Sequence, residues 1–528
     1  MSEVLFVQKS DGIKLKISEV NSMEINYFNL SGGINQSSTK TELGANTKLL
    51  YWTDAENIEI LNNKGIVKQK GNQLFIELPV SEKITGMKEM ESEGRYKLVI
   101  TTESGKIYVY NDASGQLTLL EKTLAGTNIQ FVNFMRGMLI ASESDKMFYL
   151  KNNESFDIED CNLTDLEGQA ICPDTIAIYK GRVWCAKSST IYYSALGTYN
   201  DFTTADDAGY INDFHTDTAD IIAMNTYKDY LAIYKKERVY LLSGSNPEDF
   251  AITLFADKGA TNRNTILNVD NKQYFLSNGI FALEQVGELN QIRLGSEISR
   301  NIKGEFEKFS IANLSKSFAL HYPQKHQMWY FFPYSESNYM NTIWINDYVN
   351  YSWYKRVLPQ HTICAANFKS NILTADDEGK IYLEDFGSTF NGEPIKFLWK
   401  SPFLALSDIH HKKIIDEFYF ILDDEYNNNF KFSVYKDYDS HYEDDREAIY
   451  SITPNQLVWA DDESPDAITY QWSTENHDAP VWSITSDVLE KAEIYGSCYS
   501  VQLCVQGSDI SENCAIIGLQ FREIYNDD

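Results

Sequence analysis

Residues 95–111 read RYKLVITTESGKIYVYN. Two runs of alternating apolar and polar residues flank a Glu-Ser-Gly turn. Alternation at period two, interrupted by a glycine-bearing gap, is the pattern of a β-hairpin. The pattern recurs in GMLIASESDKMFYLKN (137–152), GRVWCAKSSTIYYSA (181–195), DYLAIYKKERVYLLSG (229–244) and NKQYFLSNGIFALEQ (271–285). It returns expanded in HQMWYFFPYSESNYMNTIWIND (326–347) and a last time in SNILTADDEGKIYLED (370–385). Successive turns lie roughly 40–60 residues apart, against the ~40–50 residues of a four-stranded propeller blade. Weaker apolar stretches before the hairpins (ITGMKEM, IQFVNFM, TIAIY, IIAMN) fit an inner strand for each unit. Such a unit cannot bury both its faces alone, and radial stacking buries them while leaving only short edges. The expected fold is all-β: a β-propeller over residues 51–392, of about seven blades, with six to eight possible.

Within this series YYSALGTYNDF (192–202) and VYLLSGSNPEDF (239–250) repeat a Ser, a Gly turn and an Asp-Phe pair. The period makes this architecture: the turn returns the chain within a blade, and Phe202 and Phe250 pack between sheets. The alternative is a duplicated ligand site.

The chain has 528 residues, 43% of them apolar, with 34 Tyr, 28 Phe and 9 Trp beside 11 Pro. Aromatic enrichment suits half-buried strands. A formal charge of −30 opposes adhesion to nucleic acid or anionic lipid. Seven scattered cysteines with no CxxC pair argue against a disulfide framework or zinc site and point to a reducing cytosol. No secretory signal or apolar span long enough to cross a membrane is legible.

Two flanks break the period. Residues 1–50 contain the polar stretch NLSGGINQSSTKTELGANTK (29–48), expected as an extended N-terminal arm over a neighbouring surface. Residues 393–528 carry longer alternating strands between acidic loops, which read as a C-terminal β-sandwich. One weak helix is expected at 486–496.

Catalytic patterns are scarce. Gly105-Lys106 and Gly379-Lys380 lack the first glycine of a phosphate loop, and no GxSxG or HExxH occurs. Thr374-Ala-Asp376-Asp-Glu-Gly379 approaches the Asp box of glycoside-cleaving propellers but misplaces its glycine and lacks the tryptophan. His410 and His411, adjacent on a strand, point to opposite faces, so they make a poor metal pair. His321 and His326 flank a turn and read as packing residues. The loops Glu443-Asp444-Asp445 and Asp461-Asp462-Glu463 lack the alternation and turn glycine of a calcium loop. Trp329, Tyr330, Phe331, Phe332, Tyr334, Trp344, Tyr348, Tyr351, Trp353 and Tyr354 would make both faces of the sixth blade aromatic. That is a core or subunit interface more than a sugar platform. No catalytic, cofactor-binding or metal residue is assigned, and the expectation is a non-enzyme without cofactor.

Two stretches carry a more specific resemblance. The first comprises Ser31-Gly32-Gly33-Ile34-Asn35, then Ala55-Glu56-Asn57-Ile58-Glu59-Ile60, then Gly65-Ile66-Val67-Lys68-Gln69-Lys70-Gly71. The second runs from Tyr192 to Leu283, with its Ser-x-x-Gly…Asp-Phe turn, Tyr-Leu-x-hydrophobic-Tyr-Lys strand, Gly-x-x-Pro-x-x-Phe turn and Asn-Gly-Ile-Phe-x-Leu strand. Together with the strand opening IKFLWKSPFLAL, they resemble podovirus tail nozzle proteins, also called tail tubular protein B. That resemblance implies a structural subunit of a bacteriophage virion tail, assembled in the host cytoplasm. It implies a homo-oligomer, a hexameric ring below the portal and adaptor rings that meets tail fibres or spikes. Genomic DNA would cross the ring's channel without specific binding. The alternatives are a glycan- or receptor-binding propeller and, behind it, a propeller glycoside hydrolase.

Overall fold

The computed structural model describes residues 20–45, 48–165, 167–214, 217–287, 291–306, 308, 311–333, 339–423, 425–438, 450–452, 487–492, 494 and 497–526. Strands dominate, and among the described residues no helix is long and apolar enough to cross a membrane. The chain forms two units, residues 70–393 and residues 1–69 with 394–528.

The first unit is a seven-bladed β-propeller. Blade 1 runs antiparallel in chain order through Ile84–Ser92, Arg95–Thr102, Lys106–Asn111 and Gln116–Thr123. Blades 2 to 6 repeat this order over residues 130–160, 175–211, 221–256, 267–294 and 318–357. In every blade the hairpin legible in the sequence supplies the second and third strands. Blade 7 takes three strands from residues 364–384 and its fourth, Asn72–Glu77, from the start of the unit, with the short strands Thr389–Phe390 and Glu393–Pro394 beyond it. The ring is therefore closed by β-pairing between its two chain ends.

Turn chemistry follows the repeat. First-to-second-strand turns carry left-handed residues in each blade, as at Glu93-Gly94, Lys180-Gly181 and Lys369-Ser370. Tight hairpins need positive φ there to match strand twist. Apolar clusters fill the interblade spaces. Trp184 and Tyr193 of blade 3 meet Phe250 of blade 4 at 5.0 and 5.2 Å between ring centroids. Phe202 joins a cluster with Leu139, Tyr149 and Val183 between blades 2 and 3. The repeated Asp-Phe turn is architecture, leading from the third strand to the outer one.

Polar contacts tie neighbouring first strands together around the axis. Asn133 Nδ2 donates to Glu89 O (2.9 Å), Asn268 to Thr226 O (3.1 Å) and Asn367 to His321 O (2.7 Å). On the face bearing the first turns, Tyr179 Oη donates to Asp229 O (2.7 Å) and Tyr227 Oη to Asn271 O (2.8 Å). Ion pairs cross blade boundaries beside them: Arg136–Glu93 (3.0 Å), Lys180–Asp229 (3.1 Å), Lys325–Asp385 (2.6 Å) and Lys369–Asp112 (2.8 Å).

The closing strand has its own buried latch. The Arg356 guanidinium donates to Glu384 Oε2 (2.7 Å), Lys70 O (2.6 Å) and Gly71 O (2.9 Å). Glu384 Oε1 accepts from Thr374 Oγ1 (2.6 Å) and Asn72 Nδ2 (3.0 Å). The Arg356–Glu384 side chains are 2% and 0% exposed, so each charge depends on the other.

The second unit is a β-sandwich. One sheet orders Ile58–Leu61, Gly65–Lys68, Ala515–Asn526, Lys413–Asp423 and Asp487–Ala492, with Val20–Tyr27 also paired to Ala515–Asn526. The other orders Asp54–Glu56, Phe397–Lys400, Val501–Gly507, Phe430–Lys436 and Tyr450–Ile452. Phe420 meets Phe430 and Phe432 between the sheets at 5.3 and 5.1 Å.

Three expectations are corrected here. The propeller begins at residue 70 and not 51, because Ile58–Leu61 and Gly65–Lys68 pair in the sandwich, the latter with Ala515 and Ile516. The polar stretch after Asn29 lies against its own unit. Gly32 N donates to Leu50 O (3.1 Å), Trp52 N to Gly33 O (2.7 Å), and Thr39 and Glu42 cap the short helix Lys40–Gly44. The helix expected at 486–496 is instead the strand Asp487–Ala492, paired with Phe418–Asp423. A short segment of mixed polarity takes its conformation from its partner strand. The acidic loops at 443–445 and 461–463 lie outside the described residues.

Candidate functional site

Antiparallel order within each blade puts two sets of loops on one propeller face: those leading into first strands and those joining second to third strands. We call this the upper face. Functional groups from distant sequence positions meet there.

At its centre lies Arg263, in the short 3-10 turn before blade 5. Its guanidinium donates to Asn128 Oδ1 (2.6 Å), Asn128 O (3.2 Å) and Asp174 O (3.1 Å). Asn128 precedes blade 2 and Asp174 precedes blade 3. Blades 2 and 5 stand on opposite sides of a seven-membered ring, so this side chain crosses the axis. Burial pulls Arg263 down to about 10, while Glu143 and Asp174 act in the opposite sense.

A second polar cluster stands beside blade 4. Lys235 Nζ donates to Asp217 O (2.7 Å) and lies 4.2 Å from the Phe214 ring centroid. Burial lowers Lys235, countered by Asp217. Tyr240 Oη donates to Asp217 Oδ2 (2.8 Å).

On the same face, loops of blades 1, 6 and 7 border an open cleft of about 640 Å³ lined by Ser81, Glu82, Lys83, Glu103, Ser104, Tyr339, Ile363 and Asp377. Tyr339 stacks on His361 with centroids 4.1 Å apart and planes at 10°. His361 Nδ1 lies 3.4 Å from Asp377 Oδ2, and the hydrogen bond between Tyr339 and Asp377 raises the phenol. Across the lining Glu82 accepts from Ser104 and pairs with Lys106 at 2.9 Å. The cleft thus combines a two-ring aromatic stack with carboxylates held in fixed directions.

Of the stretches singled out in the sequence, Gly105-Lys106 and Thr374–Gly379 reach the cleft through Lys106 and Asp377, and the other residues fall elsewhere. His321 Nε2 and His326 Nδ1 each face Tyr348 Oη, at 3.1 and 3.3 Å, as a packed trio. His411 Nδ1 lies 2.9 Å from Asp408 Oδ2. Asp376 Oδ1 accepts from the Glu378 and Lys380 N–H groups (2.9 and 2.8 Å), so the near-match to an Asp box is a hairpin cap. Trp329, Tyr330, Phe331, Phe332, Trp344, Trp353 and Tyr354 are buried, as a core reading requires. Tyr351 is 79% exposed, and Tyr334 lies outside the described residues. Among the described residues no three His, Cys, Asp or Glu side chains converge as a metal site. Sequence reasoning missed Tyr339, His361, Asp377 and Glu82. Hairpin spacing could have placed Ser104 and Asp377 on one face, but nothing in the sequence makes them neighbours.

No protein-family model and no curated protein matches the chain. Among solved structures, one chain of the crystal structure of the mitotic checkpoint complex aligns at 12% identity and a TM-score of 0.39, over 60% of this chain and 93% of its own. The computationally designed Ika8 protein aligns at 12% identity and a TM-score of 0.37, over 59% and 99%.

Proposed function

We propose that the protein is a structural subunit of a short bacteriophage tail, one copy in a hexameric nozzle ring through which the genome leaves. The observation that carries this reading is the ordered motif set from Ser31 to Gly71, followed by the blade pattern from Tyr192 to Leu283. Its residues hold constrained positions. A Cβ on Gly32 would stand 2.6 Å from Leu50 O, and one on Gly71 1.7 Å from Thr389 O. Asn57 has a φ of 54° and donates to Lys396 O at 2.7 Å. The portal and adaptor rings would stand above, and fibres or spikes beside.

The charge of −30 suits passage of DNA without adhesion, because lumen-facing carboxylates repel phosphates. Replacing such carboxylates by lysine should slow ejection. The role is structural and not catalytic.

Immunogold electron microscopy of particles from the source organism tests the assignment. Label confined to the tip of a short tail supports it; label on fibres, or none, overturns it. A glycan- or receptor-binding propeller is the second reading, and the upper-face cleft with its Tyr339–His361 stack favours it.

A further inference from the structure

The cleft bordered by blades 1, 6 and 7 has a volume within the ~300–1,000 Å³ of small-molecule sites. Its chemistry narrows the ligand. Aromatic faces accept the apolar C–H face of a sugar ring, and Tyr339 is held flat by its stack on His361. Ser81 offers a hydroxyl, and carboxylates accept two hydrogen bonds at once, which suits neighbouring sugar hydroxyls. The lining carries Glu82, Glu103 and Asp377 against Lys83, and Lys106 pairs with Glu82 at 2.9 Å, so three negative charges face two positive and the small negative excess, at Glu103 and Asp377, favours a cation over an anion. Glu82 and Asp377 are already oriented, by Ser104 and Lys106 and by Tyr339 and His361, so little freedom is lost on binding.

We propose that this cleft binds an amine-bearing saccharide, its ring against Tyr339 and its ammonium between the carboxylates of Asp377 and Glu103. The inference does not rest on the tail assignment, since binding is read on the purified chain and the tail location on particles.

The test is isothermal titration of the full chain with a glucosamine trimer, repeated with the N-acetylglucosamine trimer and with spermidine. The expected result is saturable binding at millimolar affinity or tighter. The acetylated trimer, which lacks the charge, and spermidine, which lacks the ring, should each bind at least roughly tenfold more weakly. Tyr339→Ala should weaken the glucosamine trimer by roughly tenfold. Glu103→Gln, a change at an exposed turn residue, should weaken the glucosamine trimer but not the acetylated one. Three results overturn the proposal: no saturable binding at about 10 mM, spermidine binding as tightly as the trimer, or full affinity retained in both variants.

Discussion

Arg356 shows how much of this fold rests on single charged groups. Its guanidinium is shared between the Glu384 carboxylate and the carbonyls that lead into the closing strand. Removing one partner of a buried pair strands the other without water, at a cost of roughly 3–5 kcal/mol. Arg356→Ala should lose about that much in urea unfolding. The paired change Arg356→Met with Glu384→Leu should lose less, because no charge is left buried. Equal losses would show that the side chain acts only by filling space. Asp217 gives a pH signature. Burial acts to raise its carboxyl, but hydrogen bonds from Tyr240 and Ala219 and the charge of Lys235 outweigh it and hold the group below the usual range. A depressed carboxylate contributes stability above its unfolded value of about 4 and loses it as pH falls through the folded value. Asp217→Asn should therefore be less stable at pH 7 and lose less between about pH 4 and pH 2. Parallel acid unfolding of wild type and variant would argue against this.

Among elements, the closing strand Asn72–Glu77 decides whether the propeller is a ring or an open arc. Gly71 admits it, since a Cβ there would meet Thr389 O at 1.7 Å. Gly71→Ala should raise amide exchange in Asn72–Glu77 and Lys380–Glu384 well before blades 2 to 5 respond. Uniform exchange across all blades would contradict a local latch. Phe250, between blades 3 and 4, belongs to the same scale. Phe250→Ala should cost less than the roughly 3–5 kcal/mol of a fully buried aromatic, because Phe250 is only partly buried against its cluster, read by chemical denaturation. The second and third strands of all seven blades were legible in the sequence, because alternation and turn glycines are local signals. The closing strand was not, for its partners Lys380–Glu384 lie far along the chain. Nor was the place of Ile58–Leu61 and Gly65–Lys68, because the sheet they join forms on Ala515–Asn526, far along the chain. The cleft residues escaped because Glu82, Tyr339, His361 and Asp377 sit in separate loops, where no period marks them.

At the scale of the whole molecule, the propeller is inserted into the chain of the sandwich, so both sandwich sheets depend on strands from both ends of the sequence. Long-range pairing of this kind makes folding slow relative to local hairpins. We propose that such subunits form the distal ring of a tail. Cryo-electron microscopy of the tail, at a resolution that traces strands, tests it most directly. The expected result is a terminal ring of six copies, each with a seven-bladed propeller whose ring-closing strand in blade 7 is Asn72–Glu77. A terminal ring built from another fold, or this propeller found away from the tail axis, would contradict it.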